Sequence, residues 1–440
     1  MSASHEGSRG EPDPLSLSVY NRLAGLGEGL APRLLEHRLG RGKEDRWRLG
    51  ERLGEAGEER PDGFLIWIHA ASVGELNAVM PLVSRLAVAG PGTHVLVTSG
   101  TVTSARIARE RMPQGAIHQF APLDLPSAAT RFFDHWKPDL GVLVESELWP
   151  NLIRAAYRRG LPLTLVNGRL SERSAARWAW APKAAKAVMS SFTFVAAQSD
   201  GDAERFSQLG APNVHNTGNL KFDAPAPRAD AATLKRFKAA IGPRPVLVAA
   251  STHPGEEAMI AQSFGRIRAD SETRPPLLML APRHPDRGDE VEALMQAEGL
   301  KVARRTAGVS PQGADVFLLD TIGEMGLAYG LADIAFVGGS LVPHGGQNPL
   351  EPAKLNVPVL HGPHVRAFRD AYAALNEAGG ALKVASPDAL ARLVVELLPD
   401  QARRQAMAVA ARTVVAGGEG ATNRALKLLS GLLPAGVVAA

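Results

Sequence analysis

The chain has 440 residues, of which 45% are hydrophobic and 21% charged, with 44 Gly, 32 Pro and no Cys. At about 100–200 residues per domain this length implies two or three domains, and the absence of cysteine excludes disulfides, thiolate metal sites and a cysteine nucleophile. The formal charge of +4 is mild, and no basic stripe with interleaved aromatics occurs, so nucleic acid is not an expected partner.

The first dozen residues, MSASHEGSRGEP, lack the apolar core of a secretory signal and read as a disordered tail. Leu15, Val19, Leu23, Leu26, Leu30, Leu34 and Leu35 then recur mainly at three- and four-residue steps. This is an amphipathic helix pattern, interrupted near Ala31-Pro32, that suits packing on the protein or lying in a membrane interface. A basic run follows, with Arg33, Arg38, Arg41, Lys43, Arg46, Arg48 and Arg52 set against Glu36, Glu44, Asp45 and Glu51. A solvated helical face is its plain reading, and attraction to anionic lipid headgroups the sharper one. No stretch reaches the roughly 18 apolar residues that would span a bilayer.

From Phe64 onward short apolar runs alternate with helical patterns. FLIWIHA (64–70), THVLVTSG (93–100), DLGVLVES (139–146), LPLTLVN (161–167) and FTFVAAQS (192–199) are predicted strands. The Pro- and Ala-rich stretch DAPAPRADA (223–231) reads as an interdomain linker. Alternation resumes with PVLVAAS (245–251), PLLMLAP (276–282), VFLLD (316–320), DIAFVGGS (333–340) and VPVLHG (357–362), and a helix-rich tail covers about 387–433. Continuous apolar strands separated by helices predict parallel sheets covered on both faces. The expected organisation is a basic N-terminal segment (1–60), one doubly wound domain (61–223), a linker (224–231) and a second such domain (232–440). Ligands would meet the carboxyl ends of both sheets in a cleft.

Candidate chemistry lies at strand ends. HAASVGE puts Glu75 at a strand-to-helix junction, placed for a general base; a first-turn carboxylate that stabilises the helix dipole is the plain alternative. VESELWPN puts Glu145 and Glu147 two residues apart, on one face if both lie on a strand, with Arg169 or Arg173 as candidate partners. Lys221 in TGNLKFD is a cation that can meet a negatively charged donor, or a plain surface lysine. In the second half, Arg283 of APRHP can hold phosphate bidentately. Gly323 and Glu324 open a helix whose N–H groups suit a phosphate and whose carboxylate suits ribose hydroxyls. The segment FVGGSLVPHGGQNPLEPA carries glycine pairs, 338–339 and 345–346, that packing does not readily explain. No P-loop, no G-x-G-x-x-G opening either half and no H-E-x-x-H cluster occurs, which weighs against kinase, NTPase, dehydrogenase and metallohydrolase readings.

HAASVGE, ESELWPNLI, NGRLSERSA, GNLKFD, STHPGEE, APRHPDR, IGEM and GGSLVPHGGQNPLEPA run in order from about Trp67 to Pro363, and together they resemble the 3-deoxy-D-manno-octulosonate (Kdo) transferases acting on lipid A precursor. The resemblance implies a GT-B fold, two facing Rossmann-like domains with an interdomain cleft. It also implies transfer of Kdo from CMP-Kdo to the lipid A precursor (lipid IVA) with inversion, at the cytoplasmic face of the inner membrane. CMP-Kdo is then a substrate, and no cofactor or metal is expected. By the same resemblance Glu75 is the general base, and Glu145 and Lys221 act on the transition state. CMP contacts fall on Pro282 and Arg283, on Ile322, Gly323 and Glu324, and on Asn348, Pro349, Leu350 and Glu351. The chain departs from the family in having Gln347 where His is common before N-P-L-E, and Gly168 within its N-A-R-L-S motif. A weakly amphipathic segment also stands where many members have a hydrophobic anchor. Alternatives on the same architecture are a nucleotide-sugar epimerase or hydrolase, and a non-catalytic nucleotide-sugar-binding protein.

Overall fold

The computed structural model describes residues 12–270 and 275–434; apart from Pro12, the expected N-terminal tail lies outside the described residues. The chain divides into two compact units, Met1–Ala224 with Gly418–Ala440, and Pro225–Gly417.

In the first unit β1 (Phe64–His69), β2 (Thr93–Ser99), β3 (Ile117–Phe120), β4 (Leu140–Val144), β5 (Leu163–Gly168), β6 (Phe194–Ala197) and β7 (Val214–Asn216) form one parallel sheet. Its order is β3-β2-β1-β4-β5-β6-β7, with Ile66 level with Val95 on one side and Leu140 on the other. The strand period of two divides the core. Leu65 and Trp67 meet Phe132, Phe133 and Trp136 on one face, while Ile66 and Ile68 meet Leu76, Val79 and Leu82 on the other.

That second face also receives Ala421, Ala425, Leu426 and Leu429 of the last helix, Ala421–Leu429. Asp223 accepts the N–H groups of Gly420, at 2.7 Å, and of Thr422, fixing the start of that helix. The sequence reading had placed this helix in the second domain. Helical periodicity reveals that a helix has a buried face, but not which sheet buries it.

The second unit repeats the plan with β8 (Val246–Thr252), β9 (Leu277–Pro282), β10 (Val302–Arg304), β11 (Val316–Leu318), β12 (Ile334–Val337), β13 (Val359–His361) and β14 (Ala381–Lys383). The order is β10-β11-β9-β8-β12-β13-β14, again parallel. Leu247 and Leu278 face Ile260 and Phe264, whereas Val248 and Met279 face Phe237 and Leu327. The strands that the sequence did not reveal are β3, β7, β10 and β14, the edges of the two sheets. Each is only three or four residues long and has a neighbour on one side, so no continuous apolar run marks it.

In both sheets the strand order reverses beside the first strand, between β1 and β4 and between β8 and β12. Ligands of doubly wound sheets bind outside the strand carboxyl ends at this point.

At the N-terminus, helices Leu15–Gly27 and Ala31–Gly40 flank a 3-10 turn, and Pro32 sits in the first turn of the second, where its missing N–H costs nothing. These helices attach through Leu17, Ala31 and Leu35, through a Tyr20 hydroxyl donated to Asp124 (2.8 Å), and through an Asn21–Asn151 amide contact (3.0 Å). Apart from Leu35, the apolar stripe therefore faces outward, with Leu15 79% and Leu26 81% exposed. The basic run splits. Arg38 and Arg52 pair with Glu44 and Arg48 with Glu51, while Arg33, Arg41, Lys43 and Arg46 stay exposed.

Candidate active site

At the β1/β4 reversal the chain leaves β1 through Ala70–Ser72 into helix Val73–Leu86. Ser72 is the N-cap: its hydroxyl accepts the Glu75 N–H at 3.3 Å and donates back to the Glu75 carboxylate at 2.8 Å, which also accepts the Ala71 N–H at 2.8 Å. This is a variant of the capping box in which the carboxylate takes the Ala71 N–H and the Ser72 hydroxyl, so the plain structural role of Glu75 is real. A solvated cap would titrate as an ordinary carboxyl. Glu75 does not: burial, then the charges of Glu147 and Glu145, push its pKa up from 4.5 to about 7.

Beyond β4, Glu145 adopts a left-handed backbone (φ 59°), and this turn separates the paths of Glu145 and Glu147. The two carboxylates do not share a strand face, as their spacing had predicted, because β4 ends at Val144. Glu145 pairs with Lys221 Nζ at 2.6 Å, and Glu147 lies 3.5 Å from His69 Nε2 and accepts the Trp149 indole N–H. Burial alone would raise the pKa of Glu147, but the hydrogen bond and charge of His69, with the Trp149 hydrogen bond, bring it below its ordinary value. Lys221 lies on a 3-10 turn, Leu220–Phe222, whose Leu220 N–H is held by Asn167 Oδ1 at 2.9 Å. Asn167, itself left-handed (φ 53°), also points its amide nitrogen at Glu145 Oε1 (3.4 Å).

The structure thus gathers Glu75, Glu145 and Lys221 around one junction. It adds His69 and Asn167, which the sequence reading passed over. His69 sits inside a strand run, and only the Asn-Gly pair closing β5 marked Asn167 as a residue suited to left-handed backbone.

At the β8/β12 reversal of the second unit, Glu256 is fully buried. Its carboxylate accepts N–H groups from Gly339 (2.6 Å), Ser340 (3.0 Å), Leu341 (2.9 Å) and His253 (3.2 Å). The first glycine pair is therefore explained by backbone packing, contrary to the expectation from sequence. A Cβ on Gly338 would meet the Ser251 carbonyl oxygen at 2.7 Å, and Gly339 takes φ +66° against the His253 ring. The Gly338 N–H donates to the Ala250 carbonyl at 2.8 Å and the Gly339 N–H serves Glu256, which the sequence reading also overlooked.

Pro282 ends β9, and the Arg283 N–H donates to the Thr252 carbonyl at 2.9 Å, tying β9 to β8. The Arg283 guanidinium is exposed and forms no ion pair among the described residues. After β11, Ile322 is exposed, Gly323 is left-handed, and Glu324 caps helix Met325–Leu331. The Glu324 carboxylate is gripped by Arg305 (Nη2 2.7 Å, Nε 3.0 Å) and Thr321, which outweigh its burial and lower its pKa. Asn348 Oδ1 accepts the Leu350 N–H at 3.0 Å, and Pro349 leads into the short helix Leu350–Lys354, which carries Glu351. All these residues follow carboxyl ends of β9, β11 or β12 and so lie along one edge of the sheet. Among the described residues, no group of three or more His, Cys, Asp or Glu could hold a metal ion, and no helix is long and apolar enough to cross a membrane.

Known proteins match the chain in sequence and in fold. The family model described as 3-deoxy-D-manno-octulosonic-acid transferase (kdotransferase) matches residues 47–224. The 3-deoxy-D-manno-octulosonic acid transferase of Bordetella pertussis is 40% identical over 417 residues, covering 91% of this chain and 96% of that protein. Its counterpart from Haemophilus influenzae is 38% identical, covering 87% and 91%. Among solved structures, the UDP-GlcNAc 2-epimerase from Neisseria meningitidis bound to UDP-GlcNAc matches with a TM-score of 0.58 at 14% identity, covering 84% of this chain and 100% of that one. At that identity the likeness concerns the fold alone, the α/β architecture of two Rossmann-like units.

Proposed function

The chain belongs to the 3-deoxy-D-manno-octulosonic acid (Kdo) transferase family, and from that premise we propose that it moves Kdo from CMP-Kdo to a sugar hydroxyl of lipid IVA with inversion at the anomeric carbon. The observation that carries this reading is the buried Glu75 carboxyl, with a pKa near 7, set beside the Glu145–Lys221 pair. A general base works best when its pKa lies near the working pH. In its ionised form Glu75 takes the proton of the acceptor hydroxyl as that oxygen bonds to the anomeric carbon. The bond to the CMP phosphate breaks on the opposite face, and CMP leaves as the phosphate anion. A phosphate leaving group needs no proton from an acid; fixed positive charge offsets what develops on it. Lys221 and the uncovered guanidinium of Arg283 are assigned that task. Pro282, Ile322 to Glu324 and Asn348 to Glu351 are assigned to CMP.

The decisive experiment incubates purified protein with CMP-Kdo and lipid IVA and weighs the products. A mass gain of one or more Kdo units supports the reading, and an unchanged lipid refutes it.

We further propose that the first unit docks on anionic membrane at the cytoplasmic face. The outward apolar stripe from Leu15 to Leu34, together with exposed Arg33, Arg41, Lys43 and Arg46, supports this. Each such cation adds about 1 kcal/mol near an anionic surface, an attraction that salt screens over a Debye length of about 8 Å. The protein should sediment with anionic liposomes at low salt and leave them at high salt. Indifference to liposomes at low salt would refute docking.

A further inference from the structure

His253 follows β8, Arg283 and His284 follow β9, and His344 lies beyond β12, so all four side chains belong to the strand-order reversal of the second unit. The His253 and His344 rings stack with centroids 3.9 Å apart, and His284 stands edge-on to His253 at 6.1 Å. His253 is only 5% exposed. Its Nε2 accepts from the Gln347 amide nitrogen at 2.9 Å, which leaves the ring proton on Nδ1. Burial, reinforced by the charges of His344, His284, Arg283 and Arg287, lowers its pKa to about 4, so the ring is neutral at physiological pH. Nδ1 has no hydrogen-bond partner among the described residues. This donor keeps some exposure of its own, so a ligand at the strand edge can reach it and supply the acceptor that the described residues do not.

We propose that the Nδ1–H of His253, flanked by the rings of His344 and His284, binds the carboxylate of the transferred sugar acid, while Arg283 takes the adjoining phosphate. This rests on the proposed donor, a CMP-linked sugar acid. In Kdo the carboxylate is attached to the anomeric carbon, one bond from the phosphate ester oxygen, so the two anions need adjacent subsites, and His284 directly follows Arg283. A neutral donor also has a chemical advantage. The anomeric carbon gains positive charge as the leaving group departs, and a carboxylate that is hydrogen-bonded but not neutralised offsets that charge. Gln347 is a positioning residue: it fixes the tautomer that presents Nδ1–H.

The test compares CMP and CMP-Kdo as ligands of the full-length protein. His253→Ala is expected to weaken CMP-Kdo binding by about ten-fold or more, the loss of one hydrogen bond to a charged group, while CMP binding changes less than about two-fold. His253→Asn, which keeps an amide donor, should recover part of the loss. CMP binding that falls in step with CMP-Kdo binding would put the phosphate at His253 and overturn the assignment, as would unchanged binding of both. Nitrogen NMR of the wild-type imidazoles is independent of any folding defect. Free Kdo added to the CMP-saturated protein should shift Nδ1 of His253, and no shift at saturating Kdo overturns the proposal. Gln347→Leu should mix the His253 tautomers in the same spectra. A wild-type protein that binds Kdo at His253 yet transfers none to lipid IVA would refute the proposed reaction and leave this site standing.

Discussion

The two units place a glutamate at the same point of the same topology and use it in opposite ways. Ser72-Val73-Gly74-Glu75 follows β1 and His253-Pro254-Gly255-Glu256 follows β8, and each glutamate lies in the first turn of the helix after its sheet's first strand. In both, the carboxylate reaches back to a backbone N–H, of Ala71 or of His253, and burial raises its pKa. The difference comes from the strand across the reversal. The loop after β12 brings N–H groups, which occupy the Glu256 oxygens and make it a structural tie. The loop after β4 brings Glu145 and Glu147, whose charges help Glu75 retain its proton. A titrating carboxyl in one unit and a loop anchor in the other thus arise from one local motif.

The contrast can be broken by exchanging roles on paper and in the tube. Glu75→Gln should cut turnover by about 10²–10⁴-fold, the usual worth of a general base, while CMP affinity and melting temperature change little. Retained turnover would reduce Glu75 to a cap. Glu256→Ala should act on the fold: each orphaned buried donor costs about 1–3 kcal/mol, so thermal melting should fall by several degrees and CMP affinity with it. An unshifted melt would show that the loop after β12 does not need its anchor.

A subtler probe sharpens the comparison. The raised pKa of Glu75 means the folded protein binds more protons than the unfolded chain between pH 4.5 and about 7. This group's contribution to stability is therefore fully present below pH 4.5 and is lost as pH rises to about 7, while kcat/KM rises through a midpoint near 7. Glu147→Gln removes a charge that favours the protonated form, so the midpoint should move to lower pH; a midpoint that stays put would separate Glu147 from the base. The smallest effect is expected from chelation. Excess EDTA should leave the rate unchanged, since Lys221 and Arg283 are assigned the charge that a divalent ion would otherwise supply; loss restored by magnesium would refute that assignment.

Much of this molecule is determined locally. Apolar runs such as FLIWIHA and PLLMLAP specify central strands because a parallel sheet buries both faces, and a strand followed by a small polar loop and a helix marks where Glu75 and Arg283 must lie. Tertiary structure decided the rest. It placed the last helix on the first sheet and turned the Leu15–Leu34 stripe outward. It also gave β3, β7, β10 and β14 their existence as edges. Above all it separated Glu75 from Glu256. Both carry the same x-x-Gly-Glu signature, and a carboxyl's chemistry depends on burial and on the charges and N–H groups that distant strands bring within hydrogen-bond reach, which no local stretch of sequence encodes.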